Sequence, residues 1–276
     1  MSKALFQIEE VFGTALFQRS KHGMKATPKG MVVVRAASVM LEEMKHLFEE
    51  VGAQSEQGDP PMVVRIGAPP VVALTAVPVV LRNVAVPGTS ISILLTEGQT
   101  NFLFQALEAG ELDALLTTYG PAALMKRDGA ALTYEKFGEE AFVVIAPPKH
   151  PLAKAKRVDW IDLVKESWIM PGVTSMLRQS IDGNFVRAGA ATPKPVIESD
   201  SPTTNVLLVS KGLGLSCVPE EAMRDAERLQ KVARVRVRPG SLPVPVALVY
   251  RASSANKPGI TSLRRAVGKM RLRKVK

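Results

Sequence analysis

Apolar residues recur along this chain at two different periods, and the change from one to the other divides it. Leu5, Ile8 and Phe12 lie three and four apart, one face of a short helix that Gly13 ends. After the polar run 20–25, Thr27-Pro28 reads as an N-cap followed by a first helical residue. From there Val34, Ala37, Leu41, Met44, Phe48 and Val51 alternate spacings of three and four, a heptad seam that predicts a helix pairing with another helix. Val33, Met40 and Leu47 widen the stripe, so an amphipathic helix lying on its own domain is the alternative. Residues 52–61 are polar and rich in turn formers, which makes them a linker.

Beyond the linker, short β-branched runs alternate with helical stretches. Strands are predicted at 63–67, 90–96, 113–119, 142–146, 168–170, 196–198, 215–218 and 244–250. Helices fall between or after them at 71–83, 100–109, 175–188, 203–211, from 219 onward, and at 260–270. Strands separated by helices imply right-handed crossovers, hence an α/β fold with a mainly parallel sheet covered by helices on both faces.

Composition narrows the partners. With 276 residues, 46% of them apolar, the chain can fill one long or two ordinary domains. No apolar run approaches the ~20 residues of a bilayer span, so no membrane partner is expected. The first residues show neither a basic n-region nor an apolar h-region, and a cytoplasmic location follows as the expectation. The single cysteine, Cys217, excludes an internal disulfide and reads as a small buried hydrophobe. A formal net charge of +10 favours a polyanion. Its cations gather at Arg19, Lys21, Lys25 and Lys29, and again at Arg264, Arg265, Lys269, Arg271, Arg273, Lys274 and Lys276, where a solvated last helix explains them as well.

Reaction chemistry finds little support. His22, His46 and His150 lack ligand spacing, and neither Cys-x-x-Cys, Gly-x-Ser-x-Gly nor His-Glu-x-x-His occurs. No catalytic residue, metal or cofactor is therefore expected, and the chain does not read as an enzyme. Gly212-Leu213-Gly214 is a fragment of a dinucleotide fingerprint, but it precedes a strand and reads as a turn. Binding is better supported. Ligands of open α/β sheets sit beyond the carboxyl ends of strands, where helix N-termini present free N–H groups. The loops at those positions are Pro69-Pro70-Val71, Gln99-Thr100-Asn101, Thr117-Thr118 and Val173-Thr174-Ser175. For each hydroxyl, ordinary helix capping is the plainer reading.

Ser2-Lys3-Ala4-Leu5-Phe6-Gln7-Ile8-Glu9, then Gly13, Leu16-Phe17-Gln18-Arg19, His22, Thr27 and Gly30, resemble the end of the helix-turn-helix and the wing of LysR-type transcriptional regulators. Departures are mild: Ile8 and Phe12 for leucines, His22 for arginine, Ala26 for leucine. Arg65-Ile66-Gly67, residues 109–113, residues 143–147 leading to His150-Pro151-Leu152-Ala153, and Gly212-Leu213-Gly214-Leu215 with Val218-Pro219 look like the same family's effector domain. That resemblance implies two Rossmann-like subdomains of periplasmic-binding-protein type. It places effector contacts at Pro70, Val71, Gln99, Thr100, Asn101, Thr117, Thr118, Thr174, Ser175, Asp200 and Ser201. Many members carry a hydroxyl where Pro70 and Val71 stand, which puts a polar contact there in doubt.

The same resemblance assigns DNA contact to Ser2, Lys3, Gln7, Arg19, Lys21, His22, Lys25 and Thr27. In the family Ser2 lies near the start of the recognition helix, so its companion helix would precede Met1. The expected organisation is a truncated winged helix-turn-helix over 1–27, a linker and dimerisation helix with its hinge over 28–58, and an effector domain over 62–276. Within that domain, 62–146 and 244–276 would form one subdomain and 147–243 the other. The partners implied are double-stranded DNA, a small-molecule effector, further copies of the chain as a dimer or tetramer, and RNA polymerase. Two other readings stay open: an effector-binding or dominant-negative partner without DNA affinity of its own, and a periplasmic solute-binding protein, which should lack residues 2–51.

Overall fold

In a computed structural model, residues 3–20, 23–52, 61–84, 91–120 and 132–270 are described. The chain begins with an arm. Helix α1 (Lys3–Phe12) leads to a hairpin of β1 (Phe17–Ser20) and β2 (Gly23–Ala26), in which Phe17 faces Ala26 and Arg19 faces Met24. Glu9 ties helix to hairpin, its Oε1 accepting from the N–H groups of Leu16 at 2.7 Å and Phe17 at 2.9 Å. The long helix α2 (Pro28–Gly52) then starts over Leu16 so closely that a Cβ on Gly30 would stand 1.8 Å from the Leu16 carbonyl oxygen. Glycine is obligatory there on steric grounds.

The body follows as β3 (Met62–Ala68), α3 (Pro70–Val84), β4 (Ile91–Glu97), α4 (Thr100–Ala109), β5 (Ala114–Thr118), β6 (Leu132–Glu140), β7 (Phe142–Ala146), α5 (Pro151–Lys154), β8 (Trp168–Met170), α6 (Met176–Arg187), β9 (Ile197–Glu198), α7 (Pro202–Ser210), β10 (Leu215–Pro219), α8 (Glu220–Arg228), β11 (Ala233–Arg234), β12 (Val244–Arg251) and α9 (Pro258–Gly268). The strands make two sheets, in the order β4-β3-β5-β12-β6 and β11-β7-β10-β8-β9. The fold is α/β, as the strand and helix pattern implies, but both sheets are mixed. β3 pairs in parallel with β4 and β5, whereas β12 runs antiparallel to β5 and β6. In the second sheet β10 is parallel to β8 and antiparallel to β7.

The central strands β5, β7, β10 and β12 read as nearly continuous apolar runs because they are covered on both faces. In the first, Leu116, Val246 and Leu248 meet α3 and α9, while Leu115, Ala247 and Val249 turn toward Leu103 and Leu107 of α4. In the second, Trp168, Met170 and Cys217 pack on Leu177, Ile181 and Phe185 of α6, while Ile145, Ile169 and Val218 pack on α7 and α8. Phe185 is met edge-on by Trp160 at 5.2 Å and Trp168 at 5.7 Å.

The junction between the lobes lies earlier than the sequence pattern places it. Phe142–Ala146 belongs to the second sheet, where Ile145 faces Ser216 and Val144 faces Cys217, so the first crossing is at Ala141 instead of Pro147. The apolar run of β7 says that it is buried, not in which sheet. The return crossing is near Leu242, whose N–H reaches Asn184 Oδ1 at 3.3 Å and whose carbonyl accepts from Ser180 Oγ at 2.7 Å. Val244, at the start of β12, sits in the core of the second lobe, while Val246 and Leu248 sit in that of the first. One strand therefore spans the hinge. No helix among the described residues is long and apolar enough to cross a membrane.

Candidate effector-binding cleft

Where the two lobes face one another, a cleft of about 570 Å³, mouth included, is lined by Pro69, Pro70, Val71, Gly98, Gln99, Thr100, Thr118, Phe142, Pro171, Thr174, Ser175, Met176, Leu177 and Asp200. Its walls are the carboxyl ends of β3, β4, β5 and β8 and the first turns of α3, α4 and α6. The first N–H groups of a helix have no partner within it, and the helix dipole concentrates positive charge there. α4 and α6 leave this donor set uncapped, since neither Gln99 nor Ser175 makes a side-chain cap hydrogen bond. α3 offers less, because Pro70 has no N–H at its first position.

The opposite wall is built around Asp200. Its Oδ1 accepts from the Gly172 N–H at 3.0 Å and fixes the turn that carries Thr174 and Ser175. Beneath that turn the buried Arg178 donates through Nη1 to the Pro171 carbonyl at 3.2 Å and through Nε to Asp182 at 2.9 Å. The result is a cleft with hydroxyls and free backbone donors at its ends and an apolar floor of Val71, Phe142, Met176 and Leu177. It is shaped for a small molecule with an acceptor group and some carbon surface.

Eight of the residues expected to meet an effector converge on the cleft: Pro70, Val71, Gln99, Thr100, Thr118, Thr174, Ser175 and Asp200. Three do not line it. Asn101 is exposed on the first turn of α4. Thr117 is fully buried, its hydroxyl 3.2 Å from the Thr118 carbonyl, because neighbouring residues of a strand point to opposite faces. Ser201 caps α7, accepting from the Thr204 N–H at 3.3 Å. Gly98, Phe142, Pro171, Met176 and Leu177 went unread, since a glycine, a proline and an apolar wall carry no motif.

Of the residues assigned to DNA, Lys3, Gln7, Arg19 and Lys25 are exposed on α1 and the hairpin, while Ser2, Lys21 and His22 lie outside the described residues. Thr27 is a structural cap instead. Its hydroxyl donates to the Ala15 carbonyl at 3.0 Å and accepts from the Gly30 N–H at 3.0 Å. On α2 the seam residues Val34, Ala37, Leu41, Met44 and Phe48 are all exposed, and the side chain of Val51 lies outside the described set.

Comparison with known proteins agrees with this architecture. The LysR substrate binding domain family matches residues 57–271. A probable hydrogen peroxide-inducible genes activator of Mycobacterium avium is 27% identical over 98% of this chain and 84% of its own length. A full-length OxyR variant from Pseudomonas aeruginosa superposes with a TM-score of 0.68 at 22% identity, over 97% of this chain and 84% of that one. The effector binding domain of QuiR in complex with shikimate superposes at 0.64 with 20% identity, over 75% of this chain and 95% of that one. With the family matched over far more than half its length, and the arm, hinge strand and cleft in place, the chain belongs to the LysR-type transcriptional regulators.

Proposed function

We propose that this regulator senses a small polar or anionic metabolite between its two lobes and passes the occupancy of that cleft to DNA through paired α2 helices. The observation that carries the reading is the convergence of two uncapped helix N-termini, from α4 and α6, with Thr100, Thr118 and Ser175 on one cleft. A ligand that binds one lobe arrangement more tightly than another shifts the population toward it by its difference in affinity. The exposed seam on α2 supports self-association as a dimer or tetramer, and Arg19 and Lys25 on the hairpin suit phosphate contact. In this reading the protein works in the cytoplasm, alongside RNA polymerase, as a binding protein and not as an enzyme.

Peroxide sensing, which the M. avium relative's name suggests, fits this chain poorly. Thiol oxidation needs an accessible thiolate. Cys217 is fully buried among Trp168, Leu177 and Ile181, and burial pushes its thiol up to about 12.

The test is a thermal-shift screen of metabolites, followed by calorimetry on Thr100→Val. Valine keeps the shape and removes the hydroxyl, so the ligand should lose on the order of 1–3 kcal/mol, roughly ten- to hundredfold in affinity. A ligand indifferent to Thr100, Thr118 and Ser175 alike would place the site elsewhere.

A further inference from the structure

Helix α2 presents two unlike faces. The apolar seam is open, while Arg35, Ser38, Val39, Glu42 and Glu43 are half-buried. Part of that second face lies on the C-terminal end of α4, where Gly110 (φ 91°) turns the chain and a Cβ would come within 3.2 Å of the Val39 Cα. Beside this contact the Glu43 carboxylate meets two cations of the first lobe. It is paired with the Lys257 ammonium, and the Nη2 of Arg251 stands 3.9 Å away.

Arg251 is an unusual cation, with only 3% of its surface exposed. Its Nη1 donates to the carbonyls of Leu107 and, at 2.7 Å, of Leu112, closing the end of α4. Its Nε and Nη2 have no hydrogen-bond partner. Burial lowers its pKa, opposed by the charges of Asp113 and Glu43. A buried guanidinium with undonated N–H groups is costly unless an anion approaches; the charges of Asp113, from the first lobe itself, and of Glu43, from the arm, both reach it.

The position of Arg251 gives this pair its meaning. It is the last residue of β12, the strand that starts in the core of the second lobe at Val244 and pairs Val246 with Thr118 of the cleft wall. A change in lobe angle acts on one end of a continuous strand whose other end holds the arm. We propose that Arg251 and Lys257 form a carboxylate socket for Glu43, and that this joint sets the angle at which α2 leaves the first lobe. The proposal rests on α2 being the pairing helix, and through it cleft occupancy is converted into the separation of two DNA-binding arms. The 3.9 Å gap to Nη2 leaves room for the pair to tighten into a charge-assisted hydrogen bond.

Distance measurement by electron spin resonance tests it without any effector. Nitroxides are placed at Met40→Cys on α2 and Arg265→Cys on α9, both exposed, in the full chain diluted with unlabelled protein; the buried Cys217 stays unlabelled. The parent should give one narrow distance. Glu43→Gln, which keeps the shape and removes the charge, should lengthen and broaden it, and Glu43→Asp should do so less. Lys257→Met gives the same broadening if Glu43→Gln proves hard to fold. A distribution unchanged in both Glu43→Gln and Lys257→Met overturns the socket. Sedimentation separates the two readings: loss of dimers in Leu41→Asp with an unchanged label distance in both Glu43→Gln and Lys257→Met leaves the pairing helix standing and removes the socket.

Discussion

Phe185, on a helix of 12 residues in the second lobe, is fully buried between two tryptophans; Phe48, on the 25-residue α2, is 70% exposed. The same contrast holds for whole regions. In the body the apolar faces of the central strands find helices of the same chain, although the edge strand β4 leaves Leu94 and Leu95 about half exposed. In the arm Leu16 is buried at 1%, yet Leu41 is 67% and Val11 82% exposed. Most helical stability in proteins comes from packing an apolar face, so the arm's helices carry surface that the described residues of the chain do not cover. The body buries most of its apolar surface, and the arm leaves most of its own open.

The largest effect should come from breaking the body. Phe185→Ala removes a ring from a closed aromatic cluster and should cost about 3–5 kcal/mol in urea unfolding. A loss under about 1 kcal/mol would mean that the second core is not continuous. Next, Leu41→Asp tests the arm. A buried unpaired charge in a helix pair should weaken dimers roughly a hundredfold by sedimentation, about 3 kcal/mol, while the body's unfolding midpoint stays where it was. An unchanged oligomer would erase the contrast between body and arm.

The smallest of these effects sharpens the boundary between the lobes. Glu140 ends β6 at the crossing, and burial pushes its carboxyl from the usual 4.5 up to about 7, with Glu221 adding and a Thr75 hydrogen bond opposing. Below about 4.5 both the folded and unfolded chains hold this proton. As the pH rises toward 7 the unfolded chain releases it first, so stability falls across that window and the penalty is complete above it. Glu140→Gln should therefore match the parent at pH 4 and exceed it at pH 8 by on the order of 2 kcal/mol, discounted for partial solvent screening. Parallel stability curves for the two proteins would show that the crossing carries no such strain.

The parts of this molecule that were legible from sequence are those fixed by local period. Six of the body's helices and most of its strands follow from apolar spacing because burial on a regular element leaves a regular trace. β6 left none. It is an edge strand rich in Glu and Lys, with Phe137 as its buried anchor, so its pairing with β12 depends on backbone bonds that any side chain permits. The cleft was half legible. Hydroxyls at helix starts are a recognisable pattern, yet whether such a hydroxyl faces the cleft, as Thr118 does, or turns away, as Thr117 does, is decided by a strand register set by distant partners. The contact of Glu43 with Arg251 joins residues 208 positions apart and has no local signature.

The placement of β12 also bears on the order in which this chain can be made. Among the described residues β12 is the ladder partner of β6 and the inner neighbour of β5, yet it is encoded near the end of the chain. While the ribosome is still adding residues beyond 234, every strand of the second sheet already exists, whereas the first sheet lacks a central member. The lobe that comes second in sequence thus has its whole sheet before the first does, although its core still awaits Val235 and Val244. The lobe that begins earlier must hold β6 and one side of β5 unpaired until residues 244–251 arrive, and that wait is when the nascent chain has most need of a chaperone.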